Sequence, residues 1–295
     1  MKMFSVLFKT VLLFLLVFSV TKSFASTSIA ITISRNDIKL RGNFFQPEGK
    51  GDFPAVILLH GFPGNETDVL GIGRMLSNAG FNVLTFNYSG TYKSEGLNSF
   101  ENTQKDIKAV YDFIHKPQNI QTYKIDTSRI YLGGYSYGGG MALTYASNHP
   151  EVKTIFSIAG TDHGEFMREY ERNQNFKQMI DNIFSSLATP SGPVKLAKGA
   201  TPKEVLKIGI EKIDPTLDLR QSASLLAQKN ILLIGGWNDV NVTIDHHILP
   251  LYRALINSKA KKTEIIVFQD DHSFKTYRKE VAMAIIEWLN NKIAQ

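Results

Sequence analysis

The chain has 295 residues, of which 43% are hydrophobic and 20% charged, and it contains no cysteine. This balance is typical of a folded globular protein and excludes a disordered, highly charged chain. The absence of cysteine excludes disulfides, a thiol nucleophile, zinc–thiolate sites and lipid attachment through cysteine. The formal net charge is +6, but there is no dense run of Lys or Arg, so nucleic acid is not an expected partner.

The first 25 residues have the layout of a secretory signal peptide. Lys2 and Lys9 precede an apolar run from Val11 to Val20, and Ser23-Phe24-Ala25 places small residues at the −3 and −1 positions of a cleavage site. The run is shorter than the roughly 20 residues that span a bilayer, which favours cleavage after Ala25 over an uncleaved anchor. We therefore expect a secreted or periplasmic protein with no stable membrane span after cleavage. Export without cysteine is more typical of a bacterial protein.

Beyond this segment, short apolar, β-branched runs alternate with longer helical patterns, which predicts an open, doubly wound α/β sheet. The continuous apolar character of the runs indicates mostly parallel strands covered on both faces. The predicted strands are Ala30–Ser34, Ile38–Asn43, Pro54–Leu59, Phe81–Phe86, Arg129–Gly133, Thr154–Ile158, Ile231–Gly235 and Thr263–Phe268. The main predicted helices are Asp68–Ala79, Glu101–His115, Met141–Asn148, Thr243–Asn257 and Tyr277–Ile293.

The segment from Thr161 to about Gln221 contains no convincing buried strand. Its helical patterns cover Glu165–Gln178 and Lys203–Ile213, and Thr189-Pro190-Ser191-Gly192-Pro193 between them predicts a turn. An insertion between two core strands is typical of a cap over a functional site. We therefore expect one domain, residues 26–295, with a cap insertion at about 161–221, called the cap below.

Gly134-Tyr135-Ser136-Tyr137-Gly138 lies between a predicted strand and a predicted helix. This is a G-x-S-x-G motif in the strand–turn–helix context that lifts a serine hydroxyl above a sheet. Gly134 and Gly138 avoid clashes that side chains would cause in such a tight turn. The motif makes Ser136 a candidate nucleophile, and the alternative is an ordinary glycine-rich turn.

A serine hydroxyl needs a general base to act as a nucleophile. Of the seven histidines, His272 directly follows the last predicted strand, at the carboxyl edge of the sheet where Ser136 also lies. His60, at the end of strand Pro54–Leu59, is the alternative, and its place before Gly61 favours a structural role in shaping the loop. His163, in the cap, could touch substrate. The others are interpreted as surface or helix-end residues: His115, His149, His246 and His247.

The base in turn needs a carboxylate that orients it. Asp239 follows strand Ile231–Gly235, and the chain order Ser136, Asp239, His272 is the order of α/β-type serine hydrolases. The competing carboxylates are Asp245, within the next helical pattern, and Asp270 and Asp271, which precede His272 directly.

An acyl-transfer site also needs hydrogen-bond donors for a tetrahedral oxyanion. One candidate is the N–H of Tyr137, the residue after the nucleophile. The second is the N–H of Phe62 in the loop His60-Gly61-Phe62-Pro63-Gly64-Asn65, since Pro63 has no N–H to donate.

With these residues in view, the chain resembles the α/β-hydrolase superfamily over roughly Ile38 to Ile293, apart from the cap. It is similar to small acyl-esterases of the cinnamoyl and feruloyl type and to the catalytic domain of prolyl oligopeptidases. The chain departs from the latter because Asp239 is followed by Val240-Asn241 rather than by Val-Pro, and because it is too short for their β-propeller. The resemblance rests on His60-Gly61-Phe62, Asn87-Tyr88-Ser89-Gly90 with Ser94-Glu95-Gly96, Gly134-Tyr135-Ser136-Tyr137-Gly138-Gly139, Asn238-Asp239 and Asp271-His272.

The resemblance implies a hydrolase that needs no metal or organic cofactor and acts on a small ester or a short peptide. A carboxylic-ester hydrolase is the leading hypothesis, a peptidase of the prolyl oligopeptidase type is the alternative, and a non-catalytic binding protein is a third. A peptidase often has a charged anchor, for which the helix with Arg168, Glu169, Glu171 and Arg172 is a candidate, although a solvated helix face accounts for these charges as well. Apolar residues of the cap could line an acyl pocket or pack the cap onto the core: Phe166, Met167, Phe176, Met179, Ile180, Ile183, Phe184 and Leu187.

Overall fold

The computed structural model describes residues 25–196 and 215–293. Residues 1–24 of the predicted signal peptide and the predicted helix Lys203–Ile213 lie outside the described residues. Within the two described ranges, no helix is both long enough and apolar enough to cross a membrane.

The described strands form one eight-stranded sheet in the order β1-β2-β4-β3-β5-β6-β7-β8. The strands are β1 Ser26–Arg35, β2 Ile38–Pro47, β3 Phe53–Leu59, β4 Asn82–Phe86, β5 Ile125–Tyr135, β6 Thr154–Ile158, β7 Asn230–Gly236 and β8 Thr263–Phe268. The pairs β1–β2 and β2–β4 are antiparallel, and every pair from β4 through β8 is parallel. The prediction of a mostly parallel α/β sheet is confirmed.

The burial of the strands explains why their sequences differ. Every residue of β3, β4 and β6 is buried, because helices cover both faces of a parallel sheet and no face is left for polar side chains. The edge strand β1 is largely exposed along its first half, and its buried positions, Ile31 and Ile33, are two residues apart. That period of two is expected where only one face of a strand meets the core.

Nine described α-helices accompany the sheet. They are α1 Ile72–Asn78, α2 Phe100–Ile114, α3 Pro117–Tyr123, α4 Tyr137–Asn148, α5 His163–Arg172, α6 Gln174–Leu187, α7 Ala223–Leu226, α8 Leu249–Asn257 and α9 Arg278–Ile293. The helix α4 packs on β5, β6 and α2, whereas α1 packs on β4 and α9. A π-helical turn, Ile244–Ile248, precedes α8.

The predicted helix Glu165–Gln178 is wrong as a single element. The structure ends α5 at Arg172 and begins α6 at Gln174, and Asn173 between them has extended backbone angles, φ −112° and ψ 102°. The side chain of Asn173 accepts a hydrogen bond from the N–H of Phe176 at 3.1 Å. Asn is a strong N-cap residue, and this cap competes with continuation of the helix.

The cap leaves the sheet after β6 and returns to it before β7. Its helices α5 and α6 share a small apolar cluster around Tyr170 and Ile180, separate from the main core. Past α6 the chain runs beside the loop that follows β4, with an isolated antiparallel bridge between Val194 and Thr91. The cap is therefore connected to the sheet at β6 and at β7, and it also contacts the loop that follows β4.

Candidate active site

Four loops that follow neighbouring parallel strands meet at the carboxyl edge of the sheet. His60 follows β3, Ser136 follows β5, Asp239 follows β7 and His272 follows β8. This edge is where ligands bind in open α/β sheets.

Ser136 lies at the turn between β5 and α4 with φ 53° and ψ −120°. A positive φ is unusual for a residue other than glycine and costs on the order of 1–3 kcal/mol. Backbone hydrogen bonds hold this conformation: the N–H of Ser136 donates to Ile158 at 2.8 Å, and its carbonyl oxygen accepts from Gly140 and Thr161, both at 3.1 Å.

The glycines on either side of Ser136 leave no space for a side chain. A Cβ atom on Gly134 would lie 2.4 Å from the carbonyl carbon of Gly138, and one on Gly138 would lie 2.5 Å from the carbonyl oxygen of His60. Both separations are below any normal contact, so glycine at both positions allows the turn at Ser136, called the elbow below, to pack against β3.

The imidazole of His272 connects Ser136 to Asp239. Its Nε2 lies 2.9 Å from the hydroxyl oxygen of Ser136, and its Nδ1 lies 2.7 Å from Oδ2 of Asp239. Because a carboxylate only accepts hydrogen bonds, the Nδ1 carries the proton and Nε2 presents its lone pair to the serine hydroxyl. The three predicted residues are thus brought together in one hydrogen-bonded chain.

Asp239 is 4% exposed, and its second carboxylate oxygen is also occupied. Oδ1 accepts hydrogen bonds from the N–H groups of Asn241 and Val242, each at 2.8 Å. These bonds fix the plane of the carboxylate, so that Oδ2 faces the imidazole.

The competing carboxylates have other partners. Asp270 accepts from the N–H groups of Thr276 and Tyr277 at 2.8 and 3.0 Å, and Asp271 accepts from Ser273. Asp245 is exposed on the π-helical turn. The loop of His272 is therefore folded by Asp270 and Asp271, while Asp239 is the carboxylate that contacts the ring.

His60, the alternative base, is buried and its Nδ1 donates to the carbonyl oxygen of Gly61 at 2.8 Å. Burial lowers its pKa to about 4. Its ring packs on Tyr88 with centroids 4.2 Å apart, and the hydroxyl of Tyr88 donates to the carbonyl oxygen of His60. These contacts are those of a residue that shapes the loop after β3.

That loop lies directly against Ser136, because a Cβ atom on Gly61 would be 3.2 Å from the Cβ of Ser136. Phe62 and Tyr137, the two residues predicted to supply oxyanion donors, line the same cavity as Ser136, and their rings are 5.8 Å apart. Tyr137 is the first residue of α4, and the first N–H groups of a helix have no partner within the helix.

The surface interpretation holds for His115, His149 and His246 but is wrong for His247. His247 is 1% exposed, and its Nδ1 accepts a hydrogen bond from the N–H of Asp162 at 3.2 Å. It lies on the side of the π-helical turn that faces the base of the cap, whereas its neighbour His246 faces solvent. Sequence spacing alone did not distinguish these two adjacent positions.

The charged face of α5 is not simply solvated either. The carboxylate of Glu165, whose side chain is 4% exposed, forms ion pairs with Arg168, Arg172 and Arg220. Arg168 also pairs with Asp218. Burial raises the pKa of Glu165, but hydrogen bonds from Arg168 and Arg172 outweigh burial and lower it overall. This cluster connects the two ends of the cap.

Two cavities meet at Ser136 and His272. The first, about 360 Å³, also touches the polar groups of His60, Asn65 and Asp68. The second, about 290 Å³, extends under the cap and is mainly apolar. Six of the eight apolar cap residues named from the sequence line it: Phe166, Phe176, Met179, Ile180, Ile183 and Phe184.

His163 lines the floor of the second cavity. It is 2% exposed, and its ring forms T-shaped contacts with the rings of Phe100 and Tyr137, each at a centroid distance of 5.1 Å. Burial lowers its pKa to about 3, so the ring is neutral at physiological pH.

Residues 54–202, half of the chain, match the family model described as alpha/beta hydrolase fold. The chain belongs to the α/β-hydrolase family. Among its relatives is an uncharacterised 31.7 kDa protein from the traX-finO intergenic region of Escherichia coli, 27% identical over 67% of this chain and 77% of that protein. Cutinase 2 of Thermobifida cellulosilytica is also 27% identical, over 40% of this α/β-hydrolase and 43% of the cutinase. The chain thus spans less than half of the cutinase that it matches.

Solved structures share the fold of this α/β-hydrolase. Est1E from Butyrivibrio proteoclasticus, solved with ferulic acid bound, has a TM-score of 0.63 at 18% identity and covers 90% of this chain and 100% of its own. An acylaminoacyl peptidase from Pyrococcus horikoshii has a TM-score of 0.64 at 17% identity, over 91% of this chain and 42% of the peptidase. The resemblance to feruloyl-type esterases and to oligopeptidase-type domains is confirmed at the level of fold.

Proposed function

We propose that this hydrolase cleaves carboxylic esters through a Ser136–His272–Asp239 triad and an acyl-enzyme intermediate. The observation that carries the proposal is the hydrogen-bonded chain from Ser136 through His272 to Asp239, with distances of 2.9 and 2.7 Å. A serine hydroxyl within reach of an imidazole that a carboxylate orients is the arrangement that activates serine for acyl transfer.

In the first half-reaction, the hydroxyl oxygen of Ser136 attacks the acyl carbon while Nε2 of His272 takes its proton. The N–H groups of Phe62 and Tyr137 stabilise the negative charge on the carbonyl oxygen. His272 then gives the proton to the leaving alcohol, and Asp239 stabilises the imidazolium that exists in between.

In the second half-reaction, water takes the place of the alcohol. His272 removes a proton from the water as it attacks the acyl carbon, and then returns the proton to Oγ of Ser136 as the acid leaves. The enzyme is restored with no net change, so one ester and one water yield one acid and one alcohol.

An apolar group of the ester fits the cavity under the cap, because its lining is rich in aromatic and aliphatic side chains. Removing such a group from water is favourable by about 25 cal/mol per Å² of apolar surface. We assign to the cap the role of covering this cavity.

For the peptidase alternative, two of the four candidate anchor charges on α5 already have partners within the cap. Arg168 and Arg172, the charges that could hold a peptide terminus, are engaged by Glu165 and Asp218. The ester hypothesis needs no such anchor, because the apolar cavity is enough to hold the substrate.

We also propose that residues 1–25 direct export and are removed after Ala25, so that the enzyme acts outside the cytoplasm. N-terminal sequencing of the protein recovered from the periplasm or the medium of the expressing cell tests this proposal. A mature chain that begins at Ser26 agrees with it, whereas a chain retained in the cytoplasm with Met1 intact contradicts it.

The ester proposal is tested with p-nitrophenyl esters of graded acyl length, a feruloyl ester, and aminoacyl and prolyl p-nitroanilides. We expect hydrolysis of the esters, with kcat/KM rising as the acyl group becomes more apolar, and loss of turnover in Ser136→Ala. Faster cleavage of the anilides would establish the peptidase alternative. Folded protein that cleaves neither class would support a non-catalytic role.

A further inference from the structure

Three aromatic rings form a chain of contacts from the cap, through the loop that carries Phe62, to the start of α4. The ring of Phe184, in cap helix α6, stacks on the ring of Phe62 with centroids 5.2 Å apart and an angle of 18° between the planes. The ring of Phe62 also lies near that of Tyr137, with centroids 5.8 Å apart and the planes tilted by 58°. The residues of both proposed oxyanion donors therefore belong to one aromatic stack that ends in the cap.

We propose that Phe184 is a positioning residue that holds Phe62, and with it the Phe62 N–H group, in the geometry that binds the oxyanion. This inference rests on the proposed function, since it gives Phe184 a role in the same acyl-transfer site. Phe184 does not touch the reacting atoms and acts through Phe62.

Hydrogen bonds fix the base of the loop that carries Phe62, but they do not reach its ring. The carbonyl oxygen of Gly61 accepts hydrogen bonds from the N–H of Gly64 at 2.6 Å and from His60 Nδ1 at 2.8 Å. These bonds hold the start and end of the turn. The side chain of Phe62 extends away from them and lines both cavities, so its support on the cap side comes from the stacked ring of Phe184.

Phe184 takes its own position from the cap. It packs on the small apolar cluster around Tyr170 and Ile180, which is separate from the main core. The orientation of α6 therefore follows the cap as a unit. A shift of the cap would move Phe184 and remove the support of Phe62. A substrate group that holds the cap in place over the cavity would therefore also hold the Phe62 N–H group in position to bind the oxyanion.

Loss of a complete oxyanion donor lowers kcat by about 10²–10³. A donor that remains but is less well held is expected to cost less, about tenfold in kcat. KM is expected to change as well, because Phe184 also lines the cavity under the cap. The positioning role is therefore measured by the fall in kcat, which reports an interaction used only in the transition state.

The experiment measures kcat and KM for p-nitrophenyl butyrate, and the inhibition constant of a trifluoromethyl ketone, in Phe184→Leu and Phe184→Tyr. Leucine keeps the apolar volume but removes the flat ring, whereas tyrosine keeps the ring. We expect Phe184→Leu to lose about tenfold in kcat and in affinity for the ketone, which forms a tetrahedral oxyanion, and Phe184→Tyr to recover most of both. Met283→Ala, at an exposed position on α9 outside both cavities, is the control and is expected to leave kcat and KM within about twofold.

A double-mutant cycle with Phe62→Leu tests the pathway directly. If Phe184 acts through Phe62, the double variant loses little more than either single variant; independent losses that multiply would contradict the proposal. Rates are expressed per active-site serine labelled by a fluorophosphonate, so misfolded protein does not contribute. If Phe184→Leu does not fold, Phe184→Met takes its place. A kcat in Phe184→Leu equal to that of the wild type would overturn the positioning role. A wild-type protein without any Ser136-dependent turnover would overturn the proposed function itself.

Discussion

The hydroxyl of Tyr135 donates a hydrogen bond to the carbonyl oxygen of His272 at 3.0 Å. Their rings also lie 5.1 Å apart. The residue immediately before the elbow serine thus holds the backbone of the loop that carries the proposed general base. Ser136 and His272 are 136 residues apart in the chain. The loops that carry them are connected both by this bond and by the bond between Ser136 and His272.

Replacing Tyr135 with phenylalanine keeps the ring and removes this bond. A single hydrogen bond contributes about 0.5–1.5 kcal/mol, so we expect kcat to fall about threefold to tenfold with little change in KM. Steady-state kinetics of Tyr135→Phe, beside Tyr111→Phe on a distant helix as the control, measures this effect. Equal rates in both variants would show that the bond does not position His272.

Asp239→Asn should leave the fold intact and lower kcat by about 10⁴, the effect known for an Asp-to-Asn change in a serine protease triad. The amide presents a donor or a weaker acceptor to Nδ1 of His272, so the imidazole loses both its orientation and the stabilisation of its charged form. Asp245→Asn is the matched control, since Asp245 is exposed, and it should retain full activity. If kcat falls in Asp245→Asn and not in Asp239→Asn, the assignment of the acid is wrong.

The buried imidazole of His247 makes stability depend on pH. Burial lowers its pKa from the ordinary 6.5 to about 4; Glu165 and Asp239 act in the opposite direction. The unfolded chain takes up a proton at this residue as pH falls through about 6.5, while the folded protein does so only near pH 4. Its contribution to stability is therefore fully present above pH 6.5 and is lost as pH falls towards 4.

His247→Gln removes this titration and should flatten the dependence. At pH 5 the unfolded histidine is about 1.5 pH units below its pKa, so we expect the pH-linked loss to be about 2 kcal/mol smaller in the variant. Thermal unfolding of the wild type, His247→Gln and the exposed control His246→Gln at pH 5 and pH 7.5 measures the difference. Burial also raises the pKa of Asp162 to about 7 and that of Asp106 to about 6. The contribution of these two carboxyls to stability falls as pH rises, opposite to that of His247, and both are present in all three proteins. Parallel pH dependences in all three proteins would contradict the expectation.

Glu165→Gln should loosen the cap. The carboxylate pairs with three arginines from both ends of the cap, and because those arginines are partly exposed we expect a loss of only about 1–2 kcal/mol. The measurement is the rate of proteolysis within the cap, compared with that of Glu171→Gln, an exposed position on the same helix. Identical cleavage rates would mean that the cluster does not stabilise the cap.

Several features of the fold could be predicted from the sequence because local physics determined them. The strands Thr154–Ile158 and Thr263–Phe268 agree with the structure in both bounds, since each is a short apolar run between polar turns. The elbow was recognisable because a serine flanked by glycines, after a strand and before a helix, is the local context that a nucleophile elbow requires. Parallel strand order then brought Asp239 and His272 to the same edge.

Other features depend on contacts between residues distant in sequence. Nothing in the local pattern separates His247 from His246, and the burial of one follows from how the cap docks. The break at Asn173 required knowing that its side chain caps α6 rather than pointing to solvent. The stack of Phe184 on Phe62 joins residues 122 positions apart, and only the folded chain brings these rings together.

The most direct test of the account is to map the site of covalent labelling. The protein is treated with a fluorophosphonate, digested and analysed by mass spectrometry. We predict one phosphonylated residue, Ser136, with labelling abolished in Ser136→Ala and slowed by orders of magnitude in His272→Ala. Folded wild-type protein that remains unlabelled, or an adduct on a serine other than Ser136, would contradict the proposed triad.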